Sequence, residues 1–428
     1  RVAVVWFRHS LRVHDNPVLS WAYESEDIDG ILPIYIFDEE IHERSTASMG
    51  EHRLRFRFDC VEDLHRNLKN QFDLDLHIFS GDCLDVFQSI SEQLQPFEVT
   101  LLEEYSTNPQ DRKQSELIER KLINSNQNWS AKSFASCQTI LDVEAVVNAS
   151  GYRPPKSMND MVRLFNKEFG DFDHVVFKTN DPNPSAKGRK QNLSVNSEHR
   201  VSLDQIRPML SAPGYFPGGE NEAIARLEKK VISQRDYVRS FSKPKSVSTN
   251  TQGNPMEPST TGLSPYISTG CLSIRRLWNA CSEIQQSSDH TVPPVSIHGQ
   301  ILFREMFYLL SRSVENWDQE FGNSQCKEIE WGELDHGLLD SWDSGQTGFP
   351  LIDAMMRQLN TTGWMHHLGR HAVSCFLTRG QLWQNWTHGR DIFERKLIDS
   401  DWALNNGNWL WLAGVAPFSM PYYRIYNP

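Results

Sequence analysis

The chain has 428 residues, of which 39% are hydrophobic and 23% charged, which suits a globular protein of more than one domain. No apolar run approaches the eighteen or so residues that a membrane helix requires, so we expect no membrane partner. The formal charge of −12 is unevenly distributed along the chain. Residues 239–428 contain 15 basic and 18 acidic residues, a net charge of −3, which leaves −9 for residues 1–238. Nonspecific attraction of the whole chain to DNA is therefore expected to be weak.

Short apolar runs rich in β-formers alternate with helical stretches over the first 135 residues. The predicted strands are residues 2–7, 31–37, 74–79 and 99–102. The predicted helices are residues 53–69, 84–94 and 112–123. This alternation predicts a doubly wound parallel sheet. No GxGxxG motif follows the first strand, so a structural α/β domain with an empty cleft is an open alternative to a ligand-binding one.

The next part of the chain loses this periodicity. Prolines, asparagines, serines and a basic cluster of Lys187, Arg189 and Lys190 predict a long connector over the surface. From residue 218 onward the helical period takes over, with no later cluster of strands. The predicted organisation is an α/β domain at residues 1–135, a connector at 136–217 and an all-helical domain at 218–428.

A polar stretch precedes a predicted helix start near Ser264. Thr260, Thr261, Gly262 and Ser264 offer hydroxyls and unpaired backbone N–H groups, which are the donors that a pyrophosphate requires. Taken alone, the pattern also suits an ordinary helix cap.

Histidines, an arginine and aspartates are concentrated near the end of the chain. His367 and His371 are four residues apart, which places both imidazoles on one helical face. Arg370 lies on the same mostly apolar helix and needs buried carboxylates, for which Asp399 and Asp401 are the nearest candidates in sequence. The two histidines could equally be satisfied core residues. A zinc site is disfavoured, since no HExxH glutamate or cysteine pair completes it, so we expect no metal.

The seven cysteines show no CxxC spacing. This usage indicates free thiols in a reducing compartment, the nucleus or the cytoplasm, and argues against a disulfide framework or a zinc cluster.

Several motifs resemble one known family. GWMHHLGRHAVSCFLTRGQLW followed by LIDSDWALNNGNWLW resembles the flavin-binding signature of the cryptochrome/photolyase family, in particular its (6-4) photolyase and animal-cryptochrome branch. The further similar motifs, in family order, are WFRHSLRVHDNP, GGENEAIARL, STTGLSPYISTGCLS, GQILFREMFY and WDSGQTGFPLIDAMMRQL. The resemblance covers essentially the whole chain.

The resemblance implies FAD in the helical domain and an antenna pigment of unknown identity in the α/β domain. The FAD-binding residues that it implies are Lys243, Thr260, Thr261, Gly262, Leu263, Ser264, Gln300, Arg304, His366, Arg370, Asp399, Asp401 and Asn405. Asn405 is expected to face the flavin N5, and Asp399 to pair with Arg370. Gln300 is expected to face the substrate position, and Arg304 to bond to cofactor or backbone. Without the resemblance, Arg304 would be an ion-pair partner in a helical bundle.

Nine of the thirteen tryptophans lie from Trp317 onward. The resemblance nominates Trp409, Trp386 and Trp331 as a row that passes electrons between flavin and surface, because indole is easily oxidised. The alternative is that all three are bulky core residues.

Two functions fit this chemistry. The favoured one is a blue-light photoreceptor, a cryptochrome, that signals to protein partners through flavin photoreduction. The alternative is a (6-4) photolyase, a lyase that repairs UV-damaged DNA, in which His367 and His371 exchange protons with the lesion. Phe303 stands where repairing relatives often have Trp, which together with the acidic balance and the segment AGVAPFSMPYYRIYNP favours the photoreceptor. A flavin-free scaffold for transcriptional partners is a third class.

In relatives, a further helical stretch follows the RIYNP motif, and photoreceptors add a variable tail. We therefore expect the helical domain to be truncated at its end, and the oligomeric state and signalling partner are left open.

Overall fold

The structure, a computed structural model, describes seven ranges of the chain. These ranges are residues 1–38, 49–184, 190–242, 250–251, 254–285, 289–419 and 423–426. The predicted site residue Lys243 and the basic residues Lys187 and Arg189 lie outside the described residues.

A parallel sheet forms the front half of the molecule. Its strands are β1 (Val2–Phe7), β2 (Gly30–Phe37), β3 (His77–Ser80), β4 (Val99–Glu104), β5 (Trp129–Phe134) and β6 (Gln191–Asn192). Five of them run in the order β3-β2-β1-β4-β5, and β6 pairs with β2. Since β1 pairs in parallel with both β2 and β4, the chain winds outward from β1 in two directions. This confirms the predicted doubly wound sheet and places its switch point at the carboxyl ends of β1 and β4.

The two faces of β1 belong to two different cores. Its sequence VAVVWF is buried at every position, as expected for a parallel strand covered on both sides. Ala3, Val5 and Phe7 point into a core that continues into the helical half, whereas Val4 and Trp6 point into a separate core with Phe87. The covering helices are α1 (Pro17–Glu24), α2 (Glu51–Phe72), α3 (Cys83–Gln93) and α4 (Pro109–Ile118).

The predicted strand and helix list missed two strands of this sheet. The edge strand β5 is exposed along most of WSAKSF, so it lacks the apolar run that marks a strand in sequence. Strand β6 has only two residues and lies inside the predicted connector. That connector also contains the helices α5 (Val143–Asn148), α6 (Met158–Phe169) and α7 (Leu203–Ile206).

Helix α6 is anchored to the helical half by ring packing. Phe165 stacks on Trp278 with ring centroids 4.8 Å apart. A buried aromatic pair of this kind adds specific stacking energy to the burial of its large apolar area. The connector therefore holds the two halves together as well as joining them.

The second half of the chain is built from helices. They are α8 (Glu220–Leu227), α9 (Arg235–Arg239), α10 (Ser264–Ser268), α11 (Ile274–Gln285), α12 (Ile297–Ser313), α13 (His336–Ser344), α14 (Pro350–Thr362), α15 (His367–Cys375), α16 (Trp386–Lys396) and α17 (Trp402–Leu412). Single π-helical turns extend α4, α8 and α15 at Glu119–Ile123, Glu228–Ile232 and Phe376–Gly380. Short 3₁₀ turns occupy Phe172–His174 and Arg207–Met209. Contrary to the expectation of no later strands, β7 (Asn250–Thr251) and β8 (Asn254–Pro258) form a short antiparallel pair.

Within the described ranges, no helix is both long and apolar enough to cross a membrane. All seven cysteines are free, and all except Cys326 are buried.

Buried ion pairs and hydrogen bonds fasten the sheet half to the helical half. Asp15, which follows β1, pairs with Arg275 of α11 at 3.0 Å. The guanidiniums of Arg275 and Arg12 keep the pKa of the Asp15 carboxyl below its usual range, although burial acts in the opposite direction. Glu305 of α12 accepts hydrogen bonds from the backbone N–H groups of Ile140 and Leu141, at 2.9 and 3.0 Å. These contacts position α11 and α12 relative to the sheet.

Candidate functional site

A cavity of about 380 Å³ lies in the helical half, bordered by α10, α12, α15 and α17. Its volume is within the range of small-molecule sites. The predicted site residues on its wall are Thr260, Thr261, Gly262, Leu263, Ser264, Gln300, Arg304, His367, Arg370, His371, Asp399, Asp401, Asn405 and Trp409. The fold thus brings most of the predicted set together, and contacts of these residues with a cofactor stay predictions.

The segment before α10 reaches the cavity through a glycine turn. Gly262 has a φ of +61°, and a Cβ added there would come within 2.7 Å of Nη1 of Arg226. Only glycine adopts this left-handed conformation at little cost. Arg226 is itself held by Glu257, whose two carboxylate oxygens accept hydrogen bonds at 3.1 and 3.2 Å. The turn therefore depends on glycine for both its backbone conformation and its close contact.

Arg370 and Asp399 form the ion pair predicted from the sequence. Nη2 of Arg370 donates to Oδ2 of Asp399 at 2.8 Å, and Nε donates to the carbonyl of Met365. Oγ of Ser264 donates to the same aspartate oxygen at 2.6 Å. The second oxygen, Oδ1, is buried and has no hydrogen-bond partner among the described residues. A carboxylate oxygen in that situation favours a ligand that brings a donor.

Helix α12 contributes a buried arginine to the wall. Arg304 donates to the carbonyl of Gln138 at 2.8 Å, to Glu305 at 3.3 Å and to the hydroxyl of Tyr308 at 3.2 Å. Burial lowers the pKa of Arg304, but Tyr308, Glu305 and Asp401 outweigh this and raise it. The backbone carbonyl is one of the partners expected from the resemblance, and the contact with Glu305 fits the alternative of an ion pair in a helical bundle; a contact of Arg304 with the cofactor stays a prediction.

Gln300 and Asp401 also have protein partners. Nε2 of Gln300 donates to the carbonyl of Pro294 at 2.9 Å. Asp401 caps α17 by accepting from the N–H of Leu404 at 3.0 Å, and its other oxygen accepts from the hydroxyl of Tyr308. Asp401 therefore acts at least as a helix cap, in agreement with the preference of aspartate for that position.

The two histidines of α15 lie side by side on the cavity wall. The ring centroids of His367 and His371 are 4.1 Å apart. Nδ1 of His371 is 2.6 Å from the hydroxyl of Tyr426, and its ring meets the edge of Trp411 at 5.0 Å. No cluster of three or more His, Cys, Asp or Glu suited to a metal occurs in the described part of the chain.

His366 has a different position from its neighbours. It is buried at the start of α15, where Nδ1 accepts from the N–H of Leu368 at 3.1 Å. Burial lowers the pKa of His366, and the charge of Arg370 lowers it further. The side chain is not part of the cavity wall, so its predicted contact with a cofactor has no support from the wall geometry.

The three predicted tryptophans have different surroundings. Trp409 is on the wall, and its ring contacts are with Phe393 at 5.1 Å and Trp342 at 6.4 Å. Trp386 is fully buried at the start of α16, under the guanidinium of Arg390. Trp331 packs against a further tryptophan that reaches the surface, Trp383, at 5.3 Å. Electron transfer along this row stays a prediction.

Asn405 is held by residues that the sequence patterns did not single out. Its Nδ2 donates to Oε2 of Glu394 at 3.1 Å and to the carbonyl of Arg390 at 3.0 Å. Glu394 in turn pairs with Arg53 of α2 at 3.1 Å. Nothing local in the sequence marks these partners, because Arg53 is 341 residues from Glu394. By contrast, Asn408 on the wall lies one helical turn from Asn405 and could have been predicted from that spacing.

A second cavity of about 270 Å³ lies at the carboxyl ends of β1 and β4. His9 and Ser106, which follow these strands, line it together with Arg53 and Glu394. Asp401 lines both cavities, so the two share a wall. This is the switch-point position at which open α/β sheets bind ligands.

Comparisons with known proteins are consistent with this geometry. Residues 3–184 match the family described as "DNA photolyase", and residues 297–428 match the "FAD binding domain of DNA photolyase". The (6-4)DNA photolyase of Arabidopsis thaliana is 35% identical over 100% of this chain and 75% of the relative. Cryptochrome-1 of Macaca fascicularis is 32% identical over 100% of this chain and 70% of the relative.

A solved structure shares the architecture. The archaeal photolyase from Sulfolobus tokodaii, described with two FAD molecules that imply a novel light-harvesting cofactor, superimposes with a TM-score of 0.71. The sequence identity is 22%, and the match covers 100% of this chain and 86% of that one. At this identity the likeness concerns the fold.

Proposed function

The chain belongs to the photolyase and cryptochrome family, and on this premise we propose that it is a light-driven, FAD-dependent enzyme that repairs (6-4) lesions in UV-damaged DNA. Its cofactor is FAD. When bound, FAD supplies absorption of blue light and transfer of single electrons. The steps proposed for the chain itself are binding, orientation and proton transfer.

The first cavity has hydrogen-bonding groups that suit FAD, including an acceptor without a protein partner. The buried Oδ1 of Asp399 has no protein partner in the described ranges, so a hydrogen-bond donor of the cofactor would satisfy it. Arg370 and Ser264 fix the other oxygen of that carboxylate. The turn at Gly262 exposes the segment from Thr260 to Ser264, which we propose holds the diphosphate.

The paired histidines carry the proposal, and they are the reason why it puts repair before the photoreceptor that the sequence favoured. His367 and His371 both line the cavity, with rings 4.1 Å apart. Because imidazole titrates near neutral pH, two adjacent rings can hold a proton and deliver it to a hydroxyl or ring nitrogen of a lesion. The hydroxyl of Tyr426 at Nδ1 fixes the ring of His371 during that transfer. A purely structural pair would have no need to border an open cavity.

Two aromatic side chains lie near these histidines. The rings of Phe303 and Trp411 are nearly parallel and stacked, with an angle of 17° between them and centroids 6.5 Å apart. Trp411 also contacts His371. A flipped base needs such a surface for stacking once it leaves the duplex. Phe303 provides a smaller face than the tryptophan of many repairing relatives, which is the observation that favours the second candidate.

The second candidate is a blue-light photoreceptor of the cryptochrome type. It uses the same cofactor and cavity, but its output is a change of conformation that a protein partner binds. In this case the histidine pair would respond to the charge of the cofactor instead of protonating a lesion.

We also propose that the second cavity takes the antenna pigment. It lies at the switch point of the sheet and shares Asp401 with the first cavity, so a pigment there would be close to FAD. The chemical identity of the pigment is not part of the proposal.

One assay separates the two functions. Purified protein loaded with FAD is mixed with an oligonucleotide that contains a (6-4) photoproduct, illuminated with blue light, and analysed for restored bases over many turnovers. We expect repair by the wild type and a loss of about 100-fold or more in His367→Asn and His371→Asn. His336→Asn, at an exposed histidine outside the cavity, is the control. Photoreduction without any repair would reject the enzyme and support the photoreceptor.

A further inference from the structure

A further cavity of about 250 Å³, hereafter the edge cavity, lies near the edge of the sheet. Glu103 and Glu104 at the carboxyl end of β4 form part of its wall, together with Ser133 near the end of β5. Helix α4 and Arg312 of α12 also contribute to the wall, so the cavity lies where the sheet half meets the helical half. The carboxyl ends of parallel strands are the usual position of ligands in such sheets.

Negative charge is in surplus on this wall. Six carboxylates and three guanidiniums line the edge cavity, so three negative charges remain when all of them are ionised. Arg312 pairs with Glu144 at 2.7 Å. Arg8 lies between two carboxylates, those of Asp111 at 3.4 Å and Glu103 at 3.7 Å. The guanidiniums of the wall therefore do not compensate its carboxylates.

Glu104 has a carboxylate oxygen that the described residues do not use. The residue is only 3% exposed, and its Oε1 accepts from the backbone N–H of Ser10 at 3.0 Å. Its Oε2 is buried and has no hydrogen-bond partner among the described residues. Because a buried carboxylate oxygen without a donor is unfavourable, this position favours a ligand that brings an N–H group.

The neighbouring Glu103 also indicates that positive charge is scarce. Burial raises the pKa of the Glu103 carboxyl, and the charges of Glu119 and Asp111 raise it further, so that it stays above its usual range although Arg8 lowers it. No group of three or more His, Cys, Asp or Glu in the ranges that the structure describes could hold a metal ion. The arrangement of these carboxylates therefore suits an organic cation with N–H donors better than a metal ion.

We propose that the edge cavity binds a small organic cation of the alkylammonium class, with Glu104 as its anchor. One ammonium group donates to the buried Oε2 of Glu104, and a second lies near the exposed carboxylates of Glu116 and Glu119. Neither light nor flavin is needed for this binding, so the site goes beyond the proposed function. Since the wall includes β4 and Arg312 of α12, a bound cation stabilises the contact between the two halves.

Putrescine, a linear diamine, is the probe. It is titrated into the full chain with FAD bound, and the heat of binding is measured at physiological ionic strength, where nonspecific attraction to surface charge is screened. We expect one putrescine per chain, and no binding of the uncharged diol of the same chain length.

Glu104→Gln tests the anchor. The glutamine keeps the shape of the side chain and an acceptor for Ser10, but it removes the charge and the free acceptor oxygen. We expect the affinity for putrescine to fall by about tenfold to a hundredfold. Glu92→Gln, at an exposed carboxylate of α3 outside the edge cavity, should bind putrescine like the wild type.

Arg112→Gln tests the sign of the charge that is recognised. Arg112 lines the edge cavity, and its buried Nε has no hydrogen-bond partner in the described part of the chain. Removal of this cation should strengthen the binding of putrescine by about threefold. Weaker binding of putrescine in Arg112→Gln, or binding of the dianion succinate to the wild type in preference to putrescine, would contradict a cation site.

Absence of binding at about 10 mM putrescine, equal binding of the diol, or an unchanged affinity in Glu104→Gln would each overturn the proposal. A water molecule alone at Glu104 would appear as absence of binding. Should Glu104→Gln fail to fold, Ser133→Lys serves instead, because Ser133 is an exposed wall residue and Glu104 is left in place. The ammonium of the lysine should compete with putrescine and weaken its binding by at least about fivefold, and an undiminished affinity would reject the site.

Discussion

Arg370 donates a hydrogen bond to Asp399 across 2.8 Å and thereby joins α15 to the segment that precedes α17. The same carboxylate oxygen accepts from Ser264 at the start of α10. One aspartate thus connects three segments of the cavity wall, while its second oxygen is buried without a partner among the described residues. The side chain of Asp399 is only 3% exposed, so its charge is shielded from water and acts strongly on the cavity.

Asp399→Asn tests this carboxylate. The substitution keeps the shape of the side chain but leaves Arg370 without its counter-charge and removes an acceptor from the cavity. We expect the affinity for FAD to fall by about tenfold to a hundredfold, which corresponds to roughly 1.5–3 kcal/mol for a charge-assisted hydrogen bond. Titration of cofactor-free protein with FAD, followed by fluorescence, measures it. Asp236→Asn, at an exposed aspartate paired with Arg239, should bind FAD like the wild type.

Gly262→Ala tests the glycine turn before α10. The positive φ of +61° costs an alanine about 1–2 kcal/mol of stability, and its Cβ would also meet Arg226. Gly348→Ala is a matched control, because Gly348 has a φ of +82° and no atom within 4 Å of an added Cβ. We expect both variants to unfold at lower urea concentration, but only Gly262→Ala to bind FAD more weakly. Equal FAD affinities in the two variants would contradict a role of this turn in binding.

Trp409→Phe tests the first member of the tryptophan row. Phenylalanine fills most of the same buried space but is much harder to oxidise than indole. We expect flavin photoreduction under blue light to slow by at least about tenfold, as measured by loss of absorbance of the oxidised cofactor. Trp342→Phe is the control, because Trp342 packs 6.4 Å from Trp409 without belonging to the row. Photoreduction at the wild-type rate in Trp409→Phe would remove the row from the proposal.

The stability of the protein in acid should depend on Glu144. The hydrogen bonds from Arg312, at 2.7 and 2.8 Å, lower the pKa of Glu144 to about 2, below its unfolded value of about 4.3. A depressed pKa contributes stability that is present above the unfolded value and is lost as the pH falls toward the folded one. Because 36% of the side chain is exposed, we expect at most about 1 kcal/mol.

Urea unfolding between about pH 6 and pH 3 measures this contribution. Glu144→Gln should flatten the fall in the free energy of unfolding over that range, whereas Glu168→Gln at an exposed position of α6 should not. An unchanged pH profile in Glu144→Gln would show that the ion pair is screened by solvent.

Much of the fold could be predicted because its signals are local. The strands β1, β2 and β4 consist of apolar runs between turns, and their alternation with helices is sufficient to indicate a parallel sheet. The edge strand β5 escaped prediction because exposed edge positions tolerate polar residues such as Lys132. The helices of the connector escaped because proline and asparagine around them masked a helical period.

Part of the candidate site could be predicted from the sequence for the same reason. Helical spacing placed His367 beside His371. The need of a buried arginine for a carboxylate left Asp399 and Asp401 as candidates, and the resemblance singled out Asp399, which the structure pairs with Arg370. His366 was implied by the resemblance; the structure shows it capping its helix and not on the cavity wall, and its contact with a cofactor stays a prediction. The row of tryptophans was implied by the family resemblance and stays a prediction; the ring contacts of Trp409 that the structure shows are with Phe393 and Trp342.

The sequence by itself therefore determined the class of fold, the family, and which residues lie within one helical turn of each other. It could do so because helix and strand geometry repeats over a few positions. Only the tertiary structure decided that Arg53 pairs with Glu394, that Glu394 accepts a hydrogen bond from Asn405, and that two cavities share Asp401. Such contacts join segments hundreds of residues apart, and their geometry follows from the packing of the whole chain and not from any local pattern.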